Sequence, residues 1–175
     1  MSLQLNRFKS VLVERLVYRK NLVFIGTFLY ELTIFITAFV FCIFLISKPE
    51  IKVEFKIVAV VIVTFLLISW YYIYKLLPIK ITEPNKDRKL LIELITEKYS
   101  KFKIIDNGLN ILRSKSRIGY FNWGQKLTII YDDEKILVNL TTLAKHEINS
   151  VFHSIYNYLQ LQKLRKEFYN RKNGS

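Results

Sequence analysis

The stretch LVFIGTFLYELTIFITAFVFCIFLIS, residues 22–47, carries one charge, Glu31, in 26 positions. Residues 57–74, IVAVVIVTFLLISWYYIY, carry none. An apolar run of about 20 residues crosses the ~30 Å hydrocarbon core of a bilayer as a helix. The two runs therefore predict a transmembrane pair, 22–47 and 57–77, joined by an external loop at 48–56. A secretory signal fits the first run poorly, because it is too long and no small-residue cleavage site follows ISKPEIK. At 175 residues, the chain has room beyond this anchor for one modest domain.

The formal net charge is +13, and its distribution follows the anchor. Arg7, Lys9, Arg15, Arg19 and Lys20 precede the first run, and Lys75, Lys80, Lys86, Arg88 and Lys89 flank the second. The intervening loop has only Lys48, Lys52 and Lys56, with Glu50 and Glu54 among them. This asymmetry predicts both termini on the cytoplasmic side. A composition rich in Lys, Ile, Asn, Tyr and Phe resembles that of an AT-rich bacterial genome, so the expected location is a bacterial inner membrane. Cys42 is the lone cysteine and lies inside the first run, which excludes a disulfide framework. In a cytoplasmic setting the sequon Asn139-Leu140-Thr141 carries no meaning.

Glu31 is the residue of interest within the anchor. The first run is about 39 Å long at 1.5 Å per residue, so Glu31 lies either at the interface or inside the bilayer, where a carboxylate needs a partner. An antiparallel hairpin brings the end of the second run close, and Lys75 there can reach towards the membrane centre. A Glu31–Lys75 pair is one expectation. A contact between copies of the chain and ion handling are the others.

Outside the anchor, residues 1–21 read as an amphipathic helix with Leu5, Phe8, Leu12 and Leu16 on one face. It is expected to run into the first span, lie on anionic head groups or pack on the C-terminal domain. Residues 78–85, between Pro78 and Pro84, read as a linker. The domain at 86–175 opens with a helix capped by Asn85, its buried stripe formed by Leu90, Leu91, Leu94 and Ile95. Two short strands follow around Asn107-Gly108. In the hairpin KLTIIY-DDE-KILVNL, Leu127, Ile129 and Tyr131 share one face with Ile136, Val138 and Leu140. A helix over 144–171 is expected to bury Ile148, Phe152, Ile155 and Leu159. The fold class is thus an α+β membrane protein: a two-helix hairpin, then a small antiparallel sheet flanked by helices in the order α-β-β-β-β-α.

Chemistry-bearing clusters are sparse. Arg113, Lys115 and Arg117 alternate and are followed by Tyr120, Phe121 and Trp123, a pattern open to three readings: a solvated strand edge, a membrane-surface patch, or contact with a protein or nucleic acid. His146 and His153 lie about 10 Å apart along a helix, too far to chelate one ion unaided. Asp132, Asp133 and Glu134 read as a solvated hairpin tip, since Lys135 breaks a calcium loop. No nucleophile elbow, Walker loop or dinucleotide fingerprint is present. The expectation is no catalytic residue, no cofactor and no metal.

The segment FNWGQKLTIIYDDEKILVNL, with a helix before and after it, resembles a pattern in small proteins of Bacteroidetes-type bacteria. In these a tryptophan-glycine corner precedes the hairpin, and some members carry two N-terminal transmembrane helices. Gln125 and Leu140-Thr141 depart from that pattern. The resemblance implies the fold over residues 85–160 and no activity. The expected role is a non-enzymatic accessory subunit of an inner-membrane complex, with the domain as its recognition module. Its expected partners are anionic lipid and either another protein or further copies of itself, with nucleic acid disfavoured. The alternative is a membrane-inserted immunity or defence protein that either neutralises a toxin at the inner membrane or forms a homo-oligomeric pore, in which Glu31, Thr33 and Thr37 would face a helix bundle.

Overall fold

The computed structural model describes residues 5–18, 22–116, 123–143 and 149–174. Helices α2 (Leu22–Ser47) and α3 (Val53–Ile73) form an antiparallel hairpin. Within them, Phe28–Ser47 and Val53–Ile73 are long and apolar enough to cross a membrane. Only 11% and 17% of these stretches are buried, whereas the core helix of a soluble protein would be mostly enclosed. Helix α3 begins one turn earlier than the expected span, with Glu54 in its first turn where the helix dipole favours a carboxylate. It stops at Ile73, because the chain turns there into a strand.

That strand corrects the expected linker. β1 (Leu77–Lys80) pairs antiparallel with β5 (Lys135–Leu143), Leu77 opposite Val138 and Ile79 opposite Ile136. Pro78 is compatible because β1 is an edge strand and a proline there removes no ladder hydrogen bond. The domain therefore has five strands rather than four. With β2 (Phe102–Asn107), β3 (Ile111–Ser116) and β4 (Gly124–Tyr131), the antiparallel sheet runs β1-β5-β4-β3-β2.

Helix α4 (Pro84–Lys98) follows β1. Its cap is Glu83 rather than Asn85, since Pro84 has the preset backbone angle of a first helical residue. The Asp87 carboxylate accepts from the amides of Thr82 and Glu83 at 2.8 and 3.1 Å, satisfying two amides at the helix entrance. Leu91, Leu94 and Ile95 are buried as the periodicity predicts. Helix α5 (Ser154–Asn173), preceded by a 3-10 turn at Val151–His153, lies beside α4. Its buried face is Ser154, Asn157, Leu161, Leu164 and Phe168. The expected stripe is thus corrected: Phe152 and Leu159 are exposed, and Ile148 lies outside the described residues.

The main core lies between one sheet face and these two helices. It contains Leu127, Ile129, Tyr131, Ile136, Val138 and Leu140, as the hairpin alternation predicts, together with Leu164 and Phe168. The other sheet face meets the beginning of the chain. Helix α1 spans only Arg7–Val13 and ends where Glu14 adopts a left-handed backbone (φ 49°). The chain then doubles back, with hydrogen bonds from Leu16 N to the Tyr74 carbonyl (2.7 Å) and from Leu76 N to that of Glu14 (2.9 Å). Leu16 and Tyr18 pack on Ile130 and Leu137. A helix running unbroken into the first span is therefore replaced by a looped strap against the domain. Phe8 and Leu12, expected on one apolar face with Leu5 and Leu16, are 81% and 75% exposed, whereas Leu16 is buried.

Candidate functional site

A hydrogen-bonded knot joins both apolar helices to the domain at the end of α3. Glu31, on α2, is completely buried. Its Oε2 accepts from the Tyr74 hydroxyl at 2.6 Å, and its Oε1 from Asn149 Nδ2 at 3.2 Å. Removing a carboxylate from water costs several kcal/mol or more unless donors replace the lost solvent, and these two supply that replacement. Trp70 is a further hydrogen-bonding neighbour, and the nearby cation acting on the group is Lys126 of β4. Burial, then the adjacent Glu31 charge, push the Tyr74 phenol pKa well above its ordinary range, so Tyr74 remains a donor.

The expected partner Lys75 stands elsewhere. Successive residues leaving a helix point in different directions, so Tyr74 takes the carboxylate. The Lys75 ammonium lies 4.9, 5.3 and 5.3 Å from the ring centroids of Tyr71, Tyr72 and Tyr158. Such cation–π contacts span α3 and α5. Burial alone would lower the ammonium pKa. Contacts with Tyr71, Tyr158 and Tyr72 outweigh it and leave the group above its ordinary value.

Around this knot, donors from the rest of the chain reach carbonyls at and just beyond the end of α3, where the last four have no partner within the helix. Asn139 Nδ2 donates to the carbonyls of Ile73 and Lys75 at 3.0 and 2.9 Å. Arg15 donates to that of Tyr71 (3.2 Å), and Ser154 Oγ to that of Ser69 (2.6 Å). Thr141 Oγ1 donates to Asn139 Oδ1 (2.7 Å), which orients the amide. The Asn139-Leu140-Thr141 triplet, read as an idle sequon, is thus a helix-capping device. Its detectable signal is an amide in the middle of an otherwise apolar strand. Asn149 and Ser154 gave no comparable signal.

The basic-aromatic patch is only partly described. Arg117, Tyr120 and Phe121 lie outside the described residues. Arg113 and Lys115 face the strap side of the sheet, Lys115 opposite Lys126. Trp123 is 53% exposed, and its ring lies 5.0 Å from that of His153. Ser150 Oγ is 2.8 Å from His153 Nδ1, while His146 lies outside the described residues. At the hairpin tip, Asp132 pairs with Arg7 at 3.7 Å. Among the described residues, no group of three His, Cys, Asp or Glu could hold a metal ion.

No protein-family model, curated protein or solved structure matches the chain. These comparisons identify no Bacteroidetes-type family.

Proposed function

We propose that the chain is a non-enzymatic accessory subunit of a bacterial inner-membrane complex. In this reading α2 and α3 cross the membrane, both termini are cytoplasmic, and the domain is a recognition module held against the inner leaflet. One observation carries it. The sheet is fastened to the hairpin through β1 and β5, while its far edge, β2, stands open among the described residues, with Ile104 and Ile105 62% and 60% exposed. Leu109, beyond the tip of β2, is 85% exposed. An uncovered apolar strand edge is a template for pairing with another chain. In this reading the positive charge of Lys126, on the strap side of the sheet, favours anionic head groups.

The pore alternative loses its leading residue, because Glu31 is enclosed by Tyr74 and Asn149 of its own chain. Thr33, expected beside it, donates to the Leu29 carbonyl of its own helix.

Native mass spectrometry on gently extracted membranes tests the reading. A heteromeric complex that dissociates in the Ile104→Lys, Ile105→Lys double variant is expected. A stable homo-oligomer would favour the pore, and a monomer carrying only lipid would overturn both assembly readings.

A further inference from the structure

An apolar groove of about 490 Å³ opens where the strap crosses the end of the hairpin. Val13, Leu16 and Val17 form one wall, and Phe28, Leu67 and Trp70 the other. We propose that it holds an acyl chain of an anionic phospholipid whose phosphate rests on Arg15. The inference rests on the reading that α2 and α3 cross a membrane, and it adds a defined lipid site to it.

Three observations converge. First, the groove is continuous with surface that faces lipid in that reading: Phe28, Leu67 and Val13 are 38%, 53% and 51% exposed. Its volume lies within the ~300–1,000 Å³ range of small-molecule pockets. Second, it lies beside the last turn of α3, where Trp70, Tyr71 and Tyr74 form an aromatic cluster of the kind found at head-group level. Third, the cation at its rim is fixed in place. The Arg15 guanidinium lies 5.0 Å from the Tyr71 ring centroid and bonds the Tyr71 carbonyl at 3.2 Å. That bond uses one of the five N–H donors of a planar fork suited to bidentate phosphate binding. An apolar slot with a positioned guanidinium at its mouth complements a diacyl lipid with an anionic head group better than it does a soluble anion or a zwitterionic lipid.

Trp70 makes the site directly readable. In full-length Trp123→Phe it is the single tryptophan. This protein is reconstituted into bilayers doped with chain-brominated phosphatidylglycerol or chain-brominated phosphatidylcholine at equal mole fraction. The expected result is stronger quenching by the anionic lipid, with a preference of about fivefold in occupancy. Arg15→Gln abolishes the preference, while Arg15→Lys, which keeps the charge, retains part of it. Equal quenching by the two lipids would overturn the site and leave the membrane-spanning reading intact. A preference that survives Arg15→Gln would overturn Arg15 as the phosphate ligand. Absence of quenching by either lipid would overturn both the site and the membrane-spanning reading.

Discussion

Tyr74 donates a 2.6 Å hydrogen bond to Glu31, tying the end of the second apolar helix to the first. Asn149, from the segment leading into α5, shares the same carboxylate. Three separate parts of the chain therefore depend on one buried charge. Tyr74→Phe is expected to cost about 1–3 kcal/mol, the penalty for leaving a buried acceptor short of a donor. Combined with Asn149→Ala, the loss should be non-additive, since both donors serve one acceptor. Thermal unfolding of the solubilised protein measures this. Strictly additive losses would show that the two bonds are uncoupled.

Asp87 predicts a sensitivity to acid. Burial raises its carboxyl pKa, but the Lys172 ammonium at 2.5 Å and the amides of Thr82 and Glu83 outweigh this and hold it below its ordinary value of 3.8. A carboxyl depressed in the folded state stabilises fully above its unfolded pKa, and the contribution fades as pH falls through the folded one. Stability should therefore decline below about pH 4, and Asp87→Asn should flatten that decline while lowering stability at neutral pH. An acid titration of both proteins decides the matter: identical acid limbs would refute the assignment.

The Lys75 contacts can be separated from ordinary packing. Tyr158→Phe keeps a π face under the ammonium and should change stability by less than about 0.5 kcal/mol, whereas Tyr158→Leu should cost about 1 kcal/mol. Equal effects of the two substitutions in chemical denaturation would show that the ring face contributes nothing.

Helix α1 turns Phe8 and Leu12 outward. Leu12→Asp should leave the domain's unfolding midpoint nearly unchanged, because the side chain has little protein contact to lose. If α1 lies on lipid, the same change should speed proteolysis of α1 in protein reconstituted into anionic vesicles. Unaltered proteolysis would detach α1 from the membrane surface.

At the centre of the main core, Phe168 is completely buried. Phe168→Ala should cost about 3–5 kcal/mol, enough to unfold many single domains. Hydrogen exchange would show α4, α5 and the sheet losing protection together.

The β4–β5 hairpin was readable because its alternation is strict and opposed pairs such as Ile129 and Val138 face one core. The α5 face was not. Apolar counting discards Ser154 and Asn157, yet these are buried because Ser154 donates to the Ser69 carbonyl and Asn157 bonds Thr142. Two prolines gave the β1 region the look of a linker, since nothing local distinguishes an edge strand from extended coil. Glu31 stood out as a lone charge, but its partners come from 43 and 118 residues further along the chain. Local periodicity carries no information about contacts at that range.

The sheet order has a consequence for synthesis. β1 leaves the second apolar helix first, but its neighbour is β5, the last strand to be made among the described residues. Asn139, which closes the end of α3, arrives on that same strand. A ribosome must therefore release nearly the whole domain before the hairpin acquires its cap. A chain cut short before β5 would leave the carbonyls of Ile73 and Lys75 without their Asn139 donor, while the strap, made earlier, already holds those of Tyr71 and Tyr74.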